Sequence, residues 1–100
     1  MSVKKIMLYD ETGNIIFEDR IASLPVKEDS IIKKSIELFS ENEPCVIQRT
    51  MAVKSCYIEM DEYFTSMQQQ GTLVVKNDEL PAWITDMLDI SQQIQKFVIV

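Results

Sequence analysis

Two thiols and one cluster of carboxylates are the groups in this chain best suited to chemistry: Cys45 and Cys56, and Glu59, Asp61 and Glu62. The cysteines have ten residues between them, too many for the two-residue spacing of a redox or zinc knuckle. Two thiolates leave a tetrahedral zinc site half filled. A reactive thiol needs cations nearby to lower its pKa, and Arg49 and Lys54 are the neighbours in sequence that could do so. Buried cysteine otherwise behaves as a small hydrophobe, which is the reading favoured for both.

The carboxylates Glu59, Asp61 and Glu62 are oxygen ligands of the kind that hold Mg²⁺ or Ca²⁺. No glycine turn or EF-hand spacing accompanies them. On a helix Glu59 and Glu62 are neighbours, whereas Asp61 points elsewhere. A solvated helix face is the simpler reading.

The chain contains no histidine, which removes Ser-His-Asp and Cys-His nucleophiles and the histidine-containing zinc sites. Its two glycines, Gly13 and Gly71, lie far apart, so no glycine-rich loop can cradle a phosphate. No metal or cofactor is expected.

These residues must be held by a folded chain. Of its 100 residues 46% are apolar and 26% charged, as in ordinary globular proteins. Such a chain forms one domain, residues 1–100, burying about two-thirds of its extended surface.

Val3–Tyr9 and Ile15–Ile21 are rich in β-formers, and Asp10-Glu11-Thr12-Gly13-Asn14 between them suits a hairpin loop with positive φ. Ser23-Leu24-Pro25 breaks the second strand. Ile31, Ile32, Ser35, Ile36 and Phe39 then recur at helical spacing, predicting a helix over 27–41 that Pro44 ends. Cys45–Thr50 reads as a short interior strand.

Val53, Cys56, Tyr57, Met60, Tyr63, Phe64 and Met67 share one helical stripe, with Gly71 after Gln68-Gln69-Gln70 as a C-terminal cap. A strand over 55–59 is the competing reading, since Ile58 lies off that stripe. Thr72–Lys76 reads as a strand, and Asn77 and Pro81 introduce a helix through Ala82, Trp83, Ile84, Met87 and Leu88. Ile94–Val100, apolar to its end, reads as a sheet strand that must be covered. The expected fold is α+β, a two-layer sandwich in the order ββαβαβαβ, with about five strands and helices mainly on one face.

Charge narrows the partners. The net charge of −6 is concentrated in residues 58–100, which carry two bases against seven acids. An acidic surface repels phosphate backbones and anionic lipid, so nucleic acid is disfavoured despite Lys33-Lys34. No run approaches the ~20 apolar residues that span a bilayer. The basic, apolar N-terminus is cut off by Asp10 and Glu11 and reads as a strand, not a signal peptide. A cytoplasmic location is the default.

The function expected is non-catalytic: a small interaction or regulatory module that presents an acidic surface and a Met/aromatic patch to another protein. The surface residues expected to carry it are Glu59, Glu62, Tyr63, Met67 and Trp83. The apolar C-terminal strand adds the expectation of a homodimer paired through it. Two alternatives are a cysteine- or carboxylate-dependent enzyme or redox protein, and a small-ligand binder lined by Tyr57, Tyr63 and Trp83.

Overall fold

Residues 3–68 and 71–100 are described by the computed structural model. The chain forms strand β1 (Ile6–Tyr9), strand β2 (Ile15–Asp19), helix α1 (Glu28–Phe39), helix α2 (Val46–Met67), strand β3 (Leu73–Lys76), the single turn of helix α3 (Ala82–Thr85) and strand β4 (Lys96–Ile99), with short 3-10 turns between. The fold is α+β, with one antiparallel sheet in the order β2-β1-β4-β3.

The β1–β2 hairpin closes as its loop residues require. Asp10 Oδ1 accepts from the backbone N–H groups of Thr12 and Asn14, both at 2.9 Å, and from the Thr12 hydroxyl at 2.8 Å. Gly13 takes the left-handed conformation, with φ 85°, where a Cβ costs roughly 1 kcal/mol or more. Ile21, expected at the end of β2, sits instead in a 3-10 turn.

The largest correction falls on Cys45–Thr50. Its β-branched Val46 and Ile47 suggest a strand, but Cys45 is the N-cap of α2, and its N–H donates to Gln48 Oε1 at 3.0 Å. A side-chain acceptor three residues on satisfies one of the donors a helix start leaves open. The strand between the first two helices is thereby lost. Among the described residues the sheet has four strands, not five, and the element order is ββααβαβ.

With 22 residues, α2 is the longest element, and Ser55–Glu59 is helical within it. It ends at Met67, four residues before Gly71. Gln69 and Gln70 of the expected cap, like Met1 and Ser2, lie outside the described residues. Among the described residues no helix is long and apolar enough to cross a membrane.

Four-residue spacing puts Ala52, Cys56, Met60 and Phe64 on one side of α2, and all four are fully buried. Of these, Cys56, Met60 and Phe64 join Ile6, Leu8, Val75, Phe97 and Ile99 of the sheet in the core. Phe64 stacks on Phe97 of β4 with ring centroids 6.3 Å apart. Strand β4 is hydrogen-bonded to β1 on one side and β3 on the other. Its apolar residues are covered as required, but it has no open edge with which to pair across a dimer.

Helix α1 follows its expected limits and departs from its expected burial. Lys34 and Ser35 are its buried residues, Ile31, Ile32 and Phe39 are half-buried, and Ile36 is exposed. The helix ends in a left-handed Ser40 (φ 58°), the one non-glycine at positive φ among the described residues. Ser35 Oγ is fully buried without a hydrogen-bond partner. Such a group keeps its desolvation cost of about 1–3 kcal/mol. Ser35→Ala is therefore expected to stabilise the fold by about 1 kcal/mol. A thermal melt should show Tm higher by roughly 4–8 °C; an unchanged or lower Tm would mean the hydroxyl is satisfied.

Candidate functional site

Helical spacing brings Glu59, Glu62 and Tyr63 onto one side of α2, and α3 sets Trp83 against them. Together these four residues line an open cleft of about 420 Å³. Tyr63 and Trp83 meet edge to face, with ring centroids 5.8 Å apart and planes at 88°. Tyr63 also packs edge-on against buried Phe64 at 5.7 Å, so the outer ring pair is anchored to the core. Trp83 remains 41% exposed.

Two backbone clamps hold the α3 segment in place. Lys27 N donates to Met87 O at 2.9 Å and Asp89 N to Pro25 O at 2.8 Å. Asn77, expected as a cap, uses its side-chain amide to reach Ser91 O and Ile94 O at 2.6 and 2.8 Å. The chain on both sides of Trp83 is thus tied down.

The cleft continues toward α1 past Glu59 and Trp83, reaching Lys34 and Glu37. Lys34 Nζ donates to both carboxylate oxygens of Glu59 at 2.9 Å and to Glu37 at 3.4 Å. Burial pulls the ammonium pKa down, but the hydrogen bond to Glu59 and the charges of Glu59 and Glu37 outweigh it, leaving Lys34 above its ordinary value. Glu59 is therefore already engaged. Glu62 makes no ion pair among the described residues.

Four of the five surface residues read from the sequence come together here. The fifth, Met67, is exposed at the end of α2 and does not line the cleft. Asp61 turns to another side, as helical spacing requires, and accepts from Val3 N at 3.1 Å and Thr65 Oγ1 at 3.2 Å. No group of metal-ligating side chains forms among the described residues.

The thiols are also apart. Cys45 is exposed at the start of α2 and Cys56 is buried three turns on, about 16 Å along the axis. Burial pushes the Cys56 thiol pKa up, away from the thiolate that a nucleophile needs.

Nor do the three aromatics share one cavity. Tyr57 belongs to a separate cleft of about 370 Å³ with Arg20, Lys54, Ile58 and Asp61, and its hydroxyl donates to Leu24 O at 2.5 Å. Burial raises its phenol pKa.

No protein-family model, curated protein or solved structure matches the chain. Its chemistry has to be read from its own side chains. Sequence reasoning missed the part played by Lys34, Glu37 and Asp86 beside Trp83. A lysine on the apolar side of α1, one position before buried Ser35, was the available signal.

Proposed function

We propose that the protein is a non-catalytic interaction module that binds a basic, apolar-flanked segment of another protein in the Glu59–Glu62–Tyr63–Trp83 cleft. The observation that carries this reading is the placement of exposed Trp83 and half-buried Tyr63 beside a carboxylate, Glu62, that makes no ion pair among the described residues. An arginine or lysine over a tryptophan face gains roughly 0.5–2 kcal/mol from the ring quadrupole. Glu62 adds a charge-assisted hydrogen bond. Exposed aromatic anchors are also the residues most often dominant in protein interfaces.

Further support comes from the acidic balance of residues 58–100, which steers a basic partner toward this half of the molecule. Cytoplasm suits an uncrosslinked thiol pair, and that location is part of the same proposal.

Trp83 is the only tryptophan, so fluorescence excited at wavelengths that tyrosine does not absorb reports on the cleft. A capped peptide with arginine and leucine at helical spacing should change its emission saturably. The same peptide with glutamate for arginine should not. Glu62→Lys should weaken binding about ten-fold, the value of one lost charged contact near 1.4 kcal/mol. Emission that ignores both peptides, or equal affinity of Glu62→Lys, would refute the assignment.

A further inference from the structure

A second cleft lies between α2 and the 3-10 turn Ile21–Ser23 that follows β2. Lys54, Tyr57, Ile58 and Asp61 recur at three- and four-residue intervals and so share one side of the helix. The turn stands across from them. It is closed by Ser23 N and Leu24 N, which donate to Arg20 O and Ile21 O, both at 3.0 Å. The Tyr57 hydroxyl pins it to α2 through Leu24 O. The cleft holds about 370 Å³, within the range of small-molecule sites.

Its floor is apolar and its rim is cationic. Ile21 is buried and Tyr57 half-buried, while Ala22 and Ile58 stay exposed. Ile58 has no place in the core row of α2, and an apolar tail laid against it would take that surface out of water. Arg20 comes from the turn and Lys54 from the helix. Both are exposed, and neither makes an ion pair among the described residues. Asp61 also lines the cleft, with its Oδ1 engaged by Val3 N and Thr65 Oγ1. Two cations and one carboxylate leave the wall with a net charge of +1. That charge suits one carboxylate, and Asp61 disfavours a doubly charged phosphate.

We propose that this cleft binds a small apolar monocarboxylic acid, with its carboxylate between Arg20 and Lys54 and its tail against Ile21, Tyr57 and Ile58. Arginine meets a carboxylate with two parallel N–H donors, and lysine adds a compact charge on a flexible stem. Tyr57 already donates its hydroxyl proton to Leu24 O, so its ring offers the acid apolar surface. The site has no lining residue in common with the Trp83 cleft, and neither reading depends on the other.

Octanoate is the probe. In a heteronuclear NMR titration the backbone amides of Arg20, Ala22, Lys54 and Ile58 should shift saturably, with a Kd of about 1 mM. Acetate keeps the charge without the tail, and octylammonium keeps the tail with the opposite charge. Each should bind at least about ten-fold more weakly. Arg20→Gln and Lys54→Gln, both at exposed positions, should each weaken octanoate binding about ten-fold while the circular dichroism spectrum is kept. Amides that octanoate leaves unmoved, acetate or octylammonium binding as tightly as octanoate, or unchanged affinity in either variant would each overturn the proposal.

Discussion

Phe64→Ala is expected to lower the stability of the fold by about 3–5 kcal/mol. Phe64 is fully buried, stacks on Phe97 and receives the edge of Tyr63. Truncation would remove the transfer energy of the ring, open a cavity at the contact between α2 and β4, and strip the Tyr63–Trp83 pair of its support. Domains of this size have only about 5–15 kcal/mol to lose. Urea unfolding followed by circular dichroism should place the variant close to half-unfolded at modest denaturant. Phe64→Leu, which refills most of the space, should cost clearly less. A loss below about 1 kcal/mol for Phe64→Ala would show that α2 does not depend on this contact.

The central position of Phe64 was legible from sequence, because the row through Cys56, Met60 and Phe64 keeps helical spacing over several turns. So were the first hairpin, where Asp10 and Gly13 dictate the loop, and the limits of α1. The start of α2 was not legible. Val46 and Ile47 carry strand propensity, and only the Cys45–Gln48 cap reveals a helix. Propensity is a weak guide where one long element continues past its own core contact. The cleft was legible in part. Glu59, Glu62 and Tyr63 follow from spacing on one helix, but Trp83 reaches them through backbone clamps between distant segments, which no local pattern announces. Tyr57 was wrongly grouped with Tyr63 and Trp83 because helical position alone does not show which neighbour covers each side.

Glu59→Gln should be the second large effect, destabilising by about 1–3 kcal/mol. Stranding a buried charge costs about 3–5 kcal/mol; that figure is reduced here because the Glu59 side chain is 40% exposed and Glu37 remains near Lys34. Lys34→Met removes the buried cation and leaves Glu59 and Glu37, whose side chains are 40% and 63% exposed, to water, so it should be neutral within about 1 kcal/mol. In the Lys34→Met background, Glu59→Gln should then have almost no effect. A double-mutant cycle by chemical denaturation measures this coupling directly. Equal costs of Glu59→Gln in both backgrounds would show the pair to be uncoupled.

The same pair fixes a direction with pH. The Lys34 pKa in the fold lies above the ordinary 10.5, so the folded state holds its proton more tightly than the unfolded chain. Its contribution is complete below 10.5 and is lost as pH rises through the folded value. The stabilities of wild type and Glu59→Gln should accordingly converge in strong base.

The order β2-β1-β4-β3 also constrains how quickly the native state is reached. Ile6 lies opposite Ile99, more than ninety residues away, and β4 alone joins the first hairpin to β3. Closing so long a loop costs entropy before any ladder forms. The hairpin and both long helices are local and should assemble early, while the strand that stitches the two halves together arrives last. Until it does, the inner edge of β1 stands open, so the nascent chain passes through a stage in which association with other chains competes with its own completion.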